Sequence, residues 1–388
     1  MSLPKRIAQG GRNHRLYLLG SWGLLALLAF LVPFLFAETF APELFGNKYT
    51  VSLANVNKSL AWAVAILGLT VLTGFSGQIS LGHTFFVGTG AYTSAILVEF
   101  FDWPYLATLV VVIPMCLVIG LIIGIPAVRI TGLYLALITF GLAAVFPSIP
   151  KIEQLADRDG WNTGGSNGLR VSKDLETPSW LPTNGIAEFL QGIPLIGGMF
   201  GSDGLPRRGA DDVYVYFLLL LVAAIAFLLV RNLMKSRPGR AIIAIRDNPT
   251  GAQVSGINPA AVKTIAFGIS GILGGVAGVM FTMMAQFVGP DEFTTNLAIF
   301  FVVGMIVGGV GTLGGSIIGG LAIVFVPAWA GQTETLPIAD IEFGAEFGPL
   351  ILGVLLILLM FAMPGGITSG FRQVRARLVQ IIPRAPST

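Results

Sequence analysis

The sequence predicts an all-α fold: a polytopic helical membrane protein with about ten membrane-embedded helices, some broken or re-entrant, and both termini cytoplasmic. Three observations carry this. Of 388 residues, 54% are hydrophobic and only 11% charged, and the mean hydropathy is +0.81, whereas about a quarter of a soluble chain is charged. Apolar runs of about 18 residues or more recur, each long enough to cross a bilayer. The 50 glycines suit helices that pack closely in lipid.

The elements follow in order. Lys5, Arg6, Arg12 and Arg15 precede an apolar run, 16–36. It is too long for a signal peptide and no A-x-A site follows, so it reads as an uncleaved first span. The next span, 51–73, carries Asn55, Asn57 and Lys58, which makes that end wet or buried in protein. Segment 79–98 is interrupted by glycines and reads as a broken helix; 105–127 and 132–149 follow. Residues 150–212 form the long polar stretch, with Trp161, Gly164, Gly165, Gly168, Pro178, Pro182 and Pro194. This reads as a small folded extracytoplasmic cap or a loose loop, its prolines and glycines arguing against long helices. Spans 213–230 and 262–286 flank a basic segment, 231–261. Segments 296–311 and 314–330 are again interrupted by glycines, and 347–363 ends the set. All 388 residues belong to one membrane domain.

Alternating sides from a cytoplasmic N-terminus sorts the charges. The inner side takes Lys5, Arg6, Arg12, Arg15, Arg129, Arg231, Lys235, Arg237, Arg240, Arg246, Lys263, Arg372, Arg375, Arg377 and Arg384, with Asp247 its only acid. The outer side takes Glu38, Glu43, Asp291, Glu292, Glu334, Asp340, Glu342 and Glu346. Basic short inner loops are what set orientation, and the C-terminal arginines sit near anionic headgroups. The single cysteine, Cys116, excludes a disulfide framework and a cysteine metal site and reads as a small buried hydrophobe. No ligands cluster near His83, so neither metal nor cofactor is expected.

The spans hold no Asp or Glu away from their ends, Glu99 and Asp102 lying at the outer edge. Ion-coupled carriers place ionisable groups near the bilayer centre, so a secondary carrier or channel is disfavoured. The chain has no G-x-x-x-x-G-K-S/T phosphate loop. It is therefore not an enzyme with its own ATPase site, and a separate ATPase is the economical source of energy.

The basic segment has internal punctuation. Asn248-Pro249 has the form of an N-cap and first helical residue, and Gly256 that of a terminator. A short helix over 249–255 is expected, with 240–247 helical before it. Asn258-Pro259 repeats the start signal for the next span. Such a helix fits a groove on another protein, or rests on anionic lipid drawn by Arg240 and Arg246; these residues alone leave both open.

Five motifs carry a resemblance. They are Gly239-Arg240-Ala241 with Ala244-Ile245-Arg246-Asp247-Asn248, Ala252 and Gly256-Ile257-Asn258; Thr73 to His83 with Phe85, Gly88, Gly90, Ala91 and Tyr92; Arg129 to Tyr134 with Leu137-Ile138-Thr139; Thr163 to Leu169; and Gly308 to Gly315. Together they resemble the permeases of branched-chain amino acid ABC transporters (LivM type), in the family's order and over about 50–365. The departures are Thr250-Gly251 ahead of Ala252, where Gly251 loosens the helix by about 1 kcal/mol, and a longer 150–212 stretch.

The resemblance implies that Arg240, Ala244, Arg246, Asp247, Asn248, Ala252 and Gly256 form a loop that contacts ATPase subunits. It also implies a second homologous permease, two ATPases, an extracytoplasmic solute-binding protein that sets specificity, and a bacterial plasma membrane as the site of action. Membrane lipid is a further partner; nucleic acid is not.

Half-helix ends suit charged groups, so Gly77, Gln78, Ser80, Gly82 and His83, with Gly308, Gly311 and Thr312, read as lining of a translocation path. For His83 a structural part, holding a kink against a carbonyl, is the preferred alternative. The glycines at 304, 308, 311, 315 and 319, and at 271, 274, 275 and 278, mark small-residue faces that pack within the subunit. Gly74–Gly82 and Gly308–Gly319 share a short G-x-x-G-Q/T opening, a hint of an internal repeat. Urea or short amides are the alternative solutes, and a purely structural scaffold is the least favoured class.

Overall fold

The computed structural model describes residues 52–173 apart from Thr131, then Leu175, 207–330 and 365–382, with shorter pieces at 5–8, 335–336 and 339–342 and scattered positions between 27 and 32 and between 350 and 363. The expected spans 16–36 and 347–363, all but isolated positions, and the whole of 176–206 lie outside the described residues.

Helix α1 is Leu53–Leu69, begun by Ser52, whose hydroxyl accepts from the Asn55 N–H, and continued by a π-helical turn, Thr70–Phe75. Helix α2 is His83–Phe101 and ends at Asp102 in the left-handed region. A 3₁₀ turn leads into α3, Leu109–Ala127, and α4 is Leu133–Val145. Helix α5 runs Arg207–Lys235, α6 Arg237–Asp247, α7 Pro249–Val254 and α8 Pro259–Ala285. Then come α9, Thr295–Gly308, α10, Leu313–Ala330, and α11, Ile367–Leu378. Two short strands, Leu169–Arg170 (β1) and Phe287–Val288 (β2), pair antiparallel.

Among the described residues, 6 helices are long and apolar enough to cross a membrane. The segments expected at 132–149 and 314–330 are shorter apolar helices. Three boundaries move. The helix expected from 79 starts at His83, because the chain turns at Gly77 with φ +74°. Helix α5 begins at Arg207, inside the stretch read as polar, and runs on to Lys235. With α8 starting at Pro259, the basic segment between spans contracts from 231–261 to 236–258.

Helix α8 is the hub, packed on α1, α2 and α3. Its glycines allow this. A Cβ on Gly275 would fall 2.5 Å from Cys116 Sγ, and one on Gly278 would collide with the Val87 carbonyl. Helix α10 lies on α1 and α9 in the same manner, Gly319 meeting the Gly304 carbonyl and Gly308 the Gly315 carbonyl. These glycine faces are spent inside the subunit. Trp62 stacks on Phe281 (5.4 Å, 12°) and meets Phe301 edge-on (5.2 Å). Three buried hydroxyls bond across helices: Thr282 Oγ1 donates to the Ala91 carbonyl at 3.0 Å, and Thr70 and Ser316 pair at 3.0 Å, which lowers the cost of polar groups in an apolar interior.

Residues 150–173 fold back on the ends of α2 and α8. Ser172 donates from both N–H and hydroxyl to Glu99, Lys173 pairs with Asp102 at 2.7 Å, and β1 lies against β2. Helices α3 and α4 present Val110, Ile122, Leu133 and Leu137 to the surroundings, apolar side chains suited to lipid.

The packing predicts an asymmetry between glycines. Gly278→Val should lower the thermal unfolding midpoint in detergent, since overpacking of this kind costs about 1–3 kcal/mol. Gly141→Ala on α4, where nothing among the described residues lies within 4 Å of an added Cβ, should leave the midpoint unchanged.

Candidate functional site

Two breaks in the helices converge at one end of the bundle. In the first, α1 widens into its π-helical turn, and the chain leaves through Gly77 at φ +74° to reach α2 at His83. In the second, α9 stops at Gly308, Gly309 and Gly311 adopt φ +120° and +72°, and α10 starts at Leu313. Left-handed backbone of this kind is open to glycine at little cost. Gly77 and Gly311 hold the fourth place of the two G-x-x-G openings, so the short repeat seen in sequence has a matching backbone turn in each copy. The breaks touch: a Cβ on Gly74 would lie 2.7 Å from the Gly311 nitrogen.

Arg246 closes this seam from α6. Its Nη1 donates to the Gly74 carbonyl at 2.6 Å. The carbonyl is free because the last carbonyls of a helix lack intrahelical partners. A Cβ on Gly77 would meet Arg246 Cγ at 3.2 Å, and one on Gly311 would meet Nη1 at 3.4 Å. The guanidinium also stands 3.9 Å from Asp247 and remains 45% exposed. Helix α6 is held by Ile242, buried among Leu72, Ala127, Leu135, Ala266 and Phe267, and by Ile245, which is buried as well. The side chain that bridges the breaks is thus carried by a helix anchored to α1, α3, α4 and α8.

The rest of the basic segment is an outward-facing hairpin of helices. Arg240 is exposed and donates to the Lys235 carbonyl at 2.9 Å. Ala244 is half-buried. Asn248 caps α7, its Oδ1 accepting from the Gly251 N–H at 2.9 Å. Ala252 is buried and Val254, at the tip, is 87% exposed. Gly256 turns the chain at φ +80°, and Asn258 caps α8. The capping pattern legible in the sequence is the one the backbone adopts.

The residues read as path lining divide into two groups. Gly77, Gly308, Gly311 and Thr312 gather at the seam, where Thr312 Oγ1 donates to the Gly309 carbonyl at 2.8 Å and pairs with Thr368 of α11 at 3.1 Å. Gln78, Ser80 and Gly82 run inward from it. Gln78 is buried; its Nε2 donates to Ser76 Oγ and to the Lys263 carbonyl of α8, while its Oε1 has no partner among the described residues. Ser80 accepts from the Gly82 N–H, and Gly82 lies against Thr139, whose hydroxyl accepts from the Leu81 N–H at 2.9 Å.

His83 lies deeper, walled in by Gly68 and Gly274. Its Nδ1 is 3.4 Å from Ser270 Oγ, its ring stands edge-on to Phe301, and its Nε2 has no hydrogen-bond partner among the described residues. Among the described residues no three His, Cys, Asp or Glu side chains gather to hold a metal ion. Sequence reasoning passed over Thr70, Thr139, Ser316 and Thr368. Thr139 ends the motif that starts at Arg129, but nothing in spacing marks a hydroxyl that braces a distant loop.

The family model described as "Branched-chain amino acid transport system / permease component" matches residues 53–360, which contain both breaks and α1 to α10. The chain is 28% identical over 326 residues to the high-affinity branched-chain amino acid transport system permease protein LivM of Escherichia coli strain K12, covering 83% of this chain and 70% of that protein. It is 27% identical over the same length to the protein of that name from Salmonella typhimurium strain LT2. A shorter match, 28% over 197 residues and 44% of this chain, is to the autoinducer 2 import system permease protein LsrC of Escherichia coli O9:H4 strain HS. No solved structure matches the chain significantly.

The left-handed turns make a specific demand. Gly77→Ala and Gly311→Ala should each cost about 1–2 kcal/mol from backbone strain, with a further loss from crowding Arg246, read as a lower unfolding midpoint. Gly256→Ala, equally left-handed but with open space around it, should show the strain alone.

Proposed function

This chain belongs to the family of branched-chain amino acid transport permease components and is a multi-pass inner-membrane protein, and on that footing we propose that it forms the translocation path of an ABC importer for branched-chain or related amino acids. A second homologous permease completes the path, an extracytoplasmic binding protein delivers the solute, and two separate ATPases drive the cycle. The termini face the cytoplasm, as do α6 and α7, which meet the ATPases. Supporting this is the basic end of the bundle, with the exposed Val254 at the tip of α7 as a knob for an apolar groove.

The observation that carries the reading is Arg246. It belongs to the docking segment, yet its guanidinium bonds the Gly74 carbonyl and packs on Gly311. A push on α6 and α7 therefore reaches α1 and the α9–α10 turn through one side chain. The seam residues Gly77, Gly308, Gly311 and Thr312 form the moving part, and Gln78 to His83 connect it to the packed interior.

Two variants separate docking from transmission. Val254→Glu should abolish co-purification of the ATPases. Arg246→Ala should keep the complex assembled and lower solute-stimulated ATP hydrolysis about tenfold, the equivalent of roughly 1.4 kcal/mol. Full stimulation in the Arg246→Ala complex would reject this route of coupling. Transport blocked by urea and not by leucine would reassign the solute to short amides.

A further inference from the structure

At the end of the bundle opposite Arg246, a cavity of about 350 Å³ opens between the start of α1, the start of α9 and the end of α10. That volume is within the range of small-molecule sites, about 300–1,000 Å³. Its lining mixes two unlike parts. Lys58 and Glu292, of opposite charge, both border it, and among the described residues neither has an ion-pair partner. The same cavity has an apolar wall of Trp62, Phe300 and Val324. Trp62 is held rigid by its stack on Phe281 and its edge contact with Phe301.

Backbone groups add to the polar part. Pro327 sits inside α10 and has no N–H, so the carbonyl four residues back, that of Ile323, loses its helical donor; both residues line the cavity. Thr294 caps α9 without a side-chain bond to the first turn, and Thr294, Asn296 and Leu297 line the cavity as well. The first N–H groups of α9 thus lack a side-chain partner and favour an anion. A cation, an anion, a spare acceptor and uncapped donors around an apolar wall describe one kind of ligand.

Resting on the import function above, we propose that this cavity is a solute site of the permease itself, built for a zwitterionic amino acid with an aliphatic side chain. Lys58 and the start of α9 take the carboxylate. Glu292 and the Ile323 carbonyl take the ammonium. Trp62, Phe300 and Val324 take the side chain. A neutral amide such as urea would leave both charges unpaired, and a solute lacking one charged group would leave one, a penalty that sites built around polar recognition impose steeply. The site gives the permease a selection step of its own, beyond that of the binding protein.

Cysteine protection tests this on the full chain in proteoliposomes with its co-purified partners. Cys116 is buried and stays silent, so Asn296→Cys, or Leu297→Cys should the first fail to assemble, reports the cavity through a polar maleimide. Millimolar L-leucine should slow labelling about threefold or more, following 1 + [L]/Kd. L-leucinamide and isocaproate, each lacking one charge, should not, and Lys58→Gln or Glu292→Gln should abolish the protection. Equal protection by all three compounds, or none by leucine at either position, overturns the proposal. Protection in a complex that shows no ATP-driven uptake keeps the cavity and removes the import function. ATP-driven leucine uptake that is unimpaired by Lys58→Gln and Glu292→Gln, with no protection, removes the cavity alone.

Discussion

A carbonyl at the end of a membrane helix needs a donor, and in this chain the donor comes from a different helix lying across the bundle end. Gly74 is left open by the end of α1, and Arg246 fills the need at 2.6 Å. The geometry around that bond follows from it. Gly77 and Gly311 must be glycine both to turn left-handed and to leave room for the arginine's stem. Gly74 must be glycine so that the two breaks can touch. Helix α6 must be amphipathic, burying Ile242 and Ile245 while aiming Arg246 along the seam. An arginine is suited to this because it stays charged and bonds through a planar fork.

The remainder of the bundle holds the seam in place. Helix α8 meets α1, α2 and α3 at glycine positions, where backbone comes close to backbone at Gly278 and at Gly90–Gly275 and little can shift. Rigid packing of that sort confines easy motion to the breaks. The buried hydroxyls act as pins: Thr70 to Ser316 ties α1 to α10 just inside the seam, and Thr139 holds the extended stretch before α2. Helical interruptions in lipid are tolerated where protein re-satisfies their backbone, and these pins are how that is done here.

Much of this was legible in the residues. Apolar runs marked most helices, and Asn-Pro twice marked a capped start, at Asn248 and Asn258, where the structure has the same caps. Local chemistry is visible locally. The glycine spacing correctly implied close packing within the subunit. What the residues hid were pairings between distant parts. Nothing in Arg246 announces Gly74, 172 positions away, and His83, one of two histidines, turned out to lie among helices apart from the seam. The onset of α5 at Arg207 escaped because charged residues open it before the apolar run. The α1–α9–α10 cavity was hinted at only by Lys58, an unexpected cation in an apolar segment.

Helix α9 and the turn before it make one apolar span, Pro290–Gly308, of 19 residues, a rise of about 28 Å if helical throughout, while the hydrocarbon layer is roughly 30 Å thick. The Gly308 end therefore has little length to spare. Where the bilayer is thicker, the lipid beside this span has to thin, or headgroups and water have to sink in, at fractions of a kcal/mol per ångström. Acyl-chain length in the host membrane thereby bears, as a mechanical load, on the same turn that meets the arginine.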